Sequence, residues 1–164
     1  TYCLKVSAEN ILDLISDYDF IIDGSDNFET KFLINDACVM MNKPASFAGI
    51  HQFSAQILTY IPGYASYRCA FKEPPSLSLG NCSSNGILGS VAGVVGTIQA
   101  TETLKHLLFP NDVVINSLLV VNLIKLRFKL VTIKPDTKYL NHEYLKSINQ
   151  FKLNNIKNKE FSHV

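Results

Sequence analysis

The sequence contains no tryptophan and only two methionines in 164 residues. Charge is scarce too. Charged residues make up 18%, with 15 Lys and Arg against 14 Asp and Glu, so the formal net charge is +1. Such a chain has no basic field to hold nucleic acid and no acidic field to hold a basic partner. Long hydrophobic runs are also missing. The longest, Gly86 to Ile98, falls short of the roughly 20 residues of a bilayer-spanning helix and is interrupted by Gly89, Gly93 and Gly96, which excludes a membrane span. Thr1-Tyr2-Cys3-Leu4 has neither the basic start nor the apolar core of a signal peptide. The absent initiator methionine predicts a piece of a longer chain. Cysteines number four, at 3, 38, 69 and 82, with no C-x-x-C pair. That is too sparse for a secreted disulfide framework, and it predicts free thiols, mostly buried, in a reducing, cytoplasmic setting. No G-x-G-x-x-G follows a strand and no G-x-x-x-x-G-K-[ST] occurs, so the chain holds no recognisable phosphate cradle of its own.

What is present is a globular pattern. Hydrophobic residues reach 47%, and the length suits one domain with a sizeable core. Leu4–Val6 reads as an edge strand and Asn10–Ile15 as a short helix. Phe20-Ile21-Ile22 is an apolar run meeting Asp23-Gly24-Ser25-Asp26-Asn27, the pattern of a buried strand entering a loop. A helix follows, with Asp26 and Glu29 shaped as a capping box and Phe28, Phe32, Leu33, Ala37 and Met40 at helical spacing, until Pro44 stops it. Ala45–Ile50 and Ala55–Ile61 read as strands, and 64–85 as one long irregular stretch. Gly86–Leu108 is the longest predicted helix. Its glycines share a face that would admit another backbone closely, at a cost in helix propensity. Leu118–Val121 and Ile124–Leu130 are predicted strands, the second alternating apolar with Lys and Arg as at a sheet with one wet face. From 141 to 164 the chain is rich in Asn and Lys, with one weak helix through Tyr144, Ile148 and Phe151 and a disordered end. Alternating strands and helices predict an α/β fold with a mixed sheet.

Four groups of residues could carry chemistry. Asp26 lies at the carboxyl end of a strand and the start of a helix, where ligands bind in open α/β sheets. It reads either as a helix cap beside the turn former Asp23, or as a carboxylate holding Mg²⁺ beside a phosphate. Cys82 lies a few residues before a long helix, whose N-terminus would favour a thiolate; otherwise it is an ordinary loop cysteine. Cys69 stands alone and reads as structural. His106, four residues after Glu102, reads as half of a surface pair, and none of His51, His106, His142 and His163 has a partner at metal-ligand spacing.

Several segments together resemble one family. They are Tyr18 to Phe28 with its Asp-Gly-Ser-Asp-Asn-Phe core, Thr30 to Cys38, Tyr67-Arg-Cys-Ala-Phe71, Asn81-Cys82 with Gly86-Ile-Leu-Gly89, and Gly93 to Lys105. Their order and spacing are similar to the ThiF/MoeB/HesA family, bacterial relatives of ubiquitin-activating enzymes, over residues 1 to about 138. The resemblance implies the carboxyl-terminal part of a Rossmann-like three-layer adenylation domain at 1–140, followed by a tail at 141–164. It implies a homodimer that uses MgATP to adenylate the carboxyl-terminal glycine of a ubiquitin-like sulfur carrier ending in Gly-Gly. Asp26 matches the family's Mg²⁺-binding aspartate, with Asn27 and Lys31 beside the nucleotide; Lys31 stands where members usually carry Arg. Cys82 matches the cysteine that in some members links covalently to the carrier. The family's glycine-rich loop and phosphate-gripping Arg and Lys would precede Thr1. Its two zinc-binding C-x-x-C pairs read here Ser66-x-x-Cys69 and Thr137-x-x-Leu140, so zinc is not expected. A non-catalytic carrier-binding or dimerisation module is the alternative.

Overall fold

The computed structural model describes residues 1–74 and 86–149. Its frame is a five-stranded sheet in sequence order: β1 (Ile21–Ile22), β2 (Ala45–His51), β3 (Ser54–Tyr60), β4 (Ser117–Asn122) and β5 (Arg127–Thr132). β1 runs parallel to β2, and the other three pairings are antiparallel. The helices are α1 (Ile11–Ile15), α2 (Phe28–Met40), α3 (Tyr67–Phe71), α4 (Gly89–Leu108) and α5 (His142–Asn149).

The period-2 geometry of the strands sorts side chains onto two faces. Phe47, Leu58, Tyr60 and Leu118 point into one core with Ile11, Phe32, Val39, Tyr67 and Leu145, so α1, α2, α3 and α5 cover that face. Ala48, Ala55, Ile57 and Val121 point the other way, against Val91 and Val95 of α4. Helices on both faces of a mixed sheet make the expected three layers.

Several sequence readings shift. Leu4–Val6 pairs with no strand among the described residues and is not a strand itself. Ile22 is half exposed because β1 is the sheet's edge, so the apolar run is not fully buried. The cap of α2 is Asn27, whose Oδ1 accepts the Thr30 N–H at 2.8 Å, one residue after the cap predicted at Asp26. The stretch predicted to be irregular from 64 contains α3, whose cap Ser66 is bonded to Cys69; residues 75–85 lie outside the described chain.

α4 begins at Gly89, three residues late, because Gly86 sits at φ +68 and lies outside the helix. No described backbone lies against its glycines: a methyl built on Gly89, Gly93 or Gly96 meets nothing within 4 Å, since the face of α4 buried in this chain is Val91, Val95, Gln99 and Glu102. β5 starts at Arg127 because Asn122 Oδ1 takes the Lys125 N–H at 3.0 Å and Leu126 turns through φ 47, which moves Ile124 and Leu126 into the turn. Both faces of β5 are exposed, Leu130 at 56% on one and Val131 at 37% on the other, because no described element covers this edge. In α5 the buried residue is Leu145, at 0% exposure, whereas Ile148 is exposed.

Candidate functional site

The site is built where β1 stops. The Ile21 N–H donates to Pro44 O at 3.0 Å and the Asp23 N–H to Ser46 O at 2.9 Å, carrying the parallel ladder two residues at a time. Then the chain leaves the sheet. Asp23 Oδ1 accepts the Ser25 N–H at 3.1 Å and its hydroxyl at 2.6 Å, which closes the turn through Gly24. Asp23 is more than a turn former: it is buried at 1% exposure, and its Oδ2 takes the ammonium of Lys31 from α2. Gln99 of α4 donates from Nε2 to the carbonyls of Asp23 at 3.2 Å and Ser46 at 3.1 Å, tying the ends of β1 and β2 to the opposite helical layer.

The predicted site residues fall into distinct places. Asp26 is exposed, and its Oδ1 accepts from Asn27 Nδ2 at 3.3 Å. Its carboxylate can therefore supply oxygens to a hard cation. Asn27 spends its Oδ1 on the helix cap. Lys31 is buried at 4% exposure, and its Nζ is surrounded by Asp23 Oδ2, Ser25 O at 3.2 Å and Ala48 O at 2.7 Å. An ammonium has three donors, and here each has an acceptor within the chain. Cys82 lies outside the described residues. Asp26, Asn27 and Lys31 are thus brought to one end of β1, Asp26 and Asn27 exposed and Lys31 buried.

Other groups were not legible as site or scaffold. His106 does not pair with Glu102. Glu102 binds Lys105 at 2.6 Å and accepts the Val114 N–H at 2.9 Å, while His106 packs against Phe20 at a tilt, with ring centroids 5.6 Å apart. Asp36 receives a forked pair from Arg68, at 2.6 and 2.7 Å, and Asn149 Nδ2 at 2.6 Å, which joins α2, α3 and α5. The signal for this network was the Asn35-Asp36 pair inside an apolar helix, four residues after Lys31 and Phe32. Cys38 is fully buried, and burial, with Asp23 next, pushes its thiol well above the usual range. Cys69 Sγ accepts N–H groups from Ser66 and Asp136, each at 3.4 Å. Among the described residues no three His, Cys, Asp or Glu side chains gather to hold a metal, and no helix is long and apolar enough to cross a membrane.

The ThiF family model matches residues 1–141. The chain belongs to the ThiF family. It is 34% identical over 144 residues to a sulfur carrier protein adenylyltransferase of Thermus thermophilus, covering 84% of this chain and 53% of that protein. It is 36% identical over 137 residues to the adenylyltransferase and sulfurtransferase MOCS3 of Anopheles gambiae, covering 82% of this chain and 31% of that one. The chain thus spans about a third to a half of these relatives. In fold it is similar to Escherichia coli MccB crystallised with ATP, at a TM-score of 0.65 and 16% identity, over 82% of this chain and 43% of that one.

Proposed function

We propose that the protein adenylates the carboxyl-terminal glycine of a small ubiquitin-like sulfur carrier, with MgATP as the other substrate. The observation that carries this reading is the placement of Asp26: an exposed carboxylate at the open end of a parallel strand and the amino end of α2, in a ThiF-family chain. Asp26 would hold Mg²⁺, which when bound would neutralise phosphate charge; the carrier's carboxylate would attack the α-phosphorus, the bond to the β-phosphate would break and pyrophosphate would leave. Asn27 caps α2 and keeps the first-turn amides directed at the same space. The names of the relatives, sulfur carrier protein adenylyltransferase and SAMP-activating enzyme E1, support the class of substrate. Zinc has no part in the proposal, since positions 66, 137 and 140 hold Ser, Thr and Leu.

In the full natural chain, Asp26→Asn lowers carrier-dependent ATP–pyrophosphate exchange by about 10²-fold or more, the scale of losing an electrostatic contact made in the transition state. The circular dichroism spectrum stays unchanged. Unchanged exchange in a well-folded variant returns Asp26 to a plain loop residue.

The sulfur-transfer step is assigned to Cys82. Brief alkylation at neutral pH then modifies Cys82 before Cys38, whose thiol is buried; peptide mapping in which Cys38 is modified first removes the assignment.

A homodimer belongs to the same reading. The exposed residues of α4 from Gly89 to Thr101 are Gly, Ser, Ala and Thr without a single charge, and Leu104, Leu107 and Leu108 continue them in the open. A face of that composition suits a second copy better than water.

A further inference from the structure

We propose that Lys31 is a positioning residue: its side chain supplies the rung that the β1–β2 ladder lacks and so fixes the loop that presents Asp26. The purpose assigned to the loop rests on the reading of Asp26 above. The construction of the loop does not.

The ladder makes the case. On β2, Pro44, Ser46 and Ala48 offer carbonyls at two-residue intervals. The first two take the N–H groups of Ile21 and Asp23. A continuing parallel strand would bring the Ser25 N–H to Ala48 O. That N–H has turned back to Asp23 Oδ1 instead, at 3.1 Å. Ala48 O is buried and requires a donor, and Lys31 Nζ supplies it at 2.7 Å, from one turn inside α2.

The same ammonium neutralises the buried Asp23 carboxylate and takes the Ser25 carbonyl at 3.2 Å. Ser25 is therefore held through its N–H, its hydroxyl and its carbonyl. On the other side of Asp26, Asn27 is held by its cap to Thr30. The one residue of the loop offered to a ligand stands between two fixed neighbours. An ammonium with all three donors engaged has none left for a phosphate, so a cation at position 31 acts on the nucleotide site through the loop.

Two measurements test this without requiring adenylation. The first is acetylation of the native protein by an amine-reactive ester, read by peptide mapping. Lys31 should react about tenfold more slowly than exposed Lys72 and Lys125, as a group that must open locally to be reached, and MgATP should make no difference. Labelling at the surface rate with protection by MgATP would make Lys31 a phosphate ligand and overturn the proposal.

The second compares Lys31→Met with the double variant Asp23→Asn/Lys31→Met. The single change strands a buried carboxylate and should lower the urea midpoint. The double change removes both charges, keeps an Oδ1 acceptor for Ser25, and should restore most of that loss. Amide exchange over residues 23–30 should nevertheless stay about tenfold faster than wild type in the double variant, with β3 unchanged, because the bonds to Ser25 O and Ala48 O are still missing. Protection that returns together with stability would reduce Lys31 to a charge partner of Asp23 and overturn the positioning role. If Asp26→Asn leaves exchange activity intact while both results here hold, the reading of Asp26 as the Mg²⁺ ligand fails and the ladder account stands.

Discussion

Asp23, Lys31 and Ser46 lie together at the end of β1 with almost no exposure, 1%, 4% and 0%, and burial treats them differently. The two charges neutralise each other, and Lys31 finds two further oxygens. The hydroxyl of Ser46 finds no hydrogen-bond partner among the described residues. An unsatisfied buried polar atom costs its desolvation and returns nothing, whereas a methyl of similar size costs nothing of the kind. Ser46→Ala should therefore be neutral or stabilising by up to about 1 kcal/mol in urea unfolding. A loss of more than about 1 kcal/mol would show that the hydroxyl is bonded in the folded protein. Asp26, three residues beyond Asp23, has the opposite environment. It is exposed and lightly bonded, and that availability, more than its identity, makes it the candidate ligand.

At the level of elements, α2 carries both core and site. Its buried residues include Lys31, Asn35 and Asp36 beside Phe32, Ala37, Cys38 and Val39, so the helix lacks a clean polar face. Each buried polar group has a partner. Asn35 Oδ1 accepts the Tyr67 N–H at 2.8 Å, and Arg68 forks onto Asp36. The amino end of α2 depends on Asn27, for Glu29 makes no capping box with Asp26. Asn27→Ala should cost about 1 kcal/mol of unfolding free energy, and Asn27→Asp should leave it within a few tenths, since Asp caps equally well. Equal losses in both variants would mean that the amide nitrogen, through its contact with Asp26, matters more than the cap.

The whole molecule stands on two cores, one on each face of the sheet, and the larger buries three groups that ionise only in alkali. Cys38, Tyr60 and Tyr67 are each at or below 5% exposure. Burial raises their proton affinities far above the ordinary values of 9.0 for the thiol and 10.0 for the phenols. The sign follows from linkage. Below about pH 9 all three are neutral folded or unfolded, and their contribution to stability is complete and flat. Above it the unfolded chain sheds protons that the folded chain keeps, so stability falls as pH rises, by up to about 1.4 kcal/mol per pH unit for each group. Urea midpoints should be level from about pH 7 to about pH 8.5 and decline steadily from about pH 9 to about pH 11. A level profile throughout would mean that the thiol and the phenols reach water in the folded state.

The sequence by itself determined the class of fold, most of the elements and the family. It could do so because those depend on short-range physics: period-2 and period-3.6 apolar spacing, the break at Pro44, and contiguous motifs around Asp26 and Gly93. It placed Asp26 at the end of a strand for the same reason. Tertiary structure alone decided which cation does what. Lys31 is five residues from Asp26, a spacing that reads as one shared site. The path of β1 brings Ala48 O and Asp23 against its ammonium, and those partners lie seventeen residues ahead and eight behind. Gln99 reaches the carbonyl of Asp23 across seventy-six residues, and Asn149 reaches Asp36 across one hundred and thirteen. The exposed apolar rows of β5 and the open glycine face of α4 belong with these. An alternating or small-residue pattern marks a face, and only the packed chain decides whether anything lies against it.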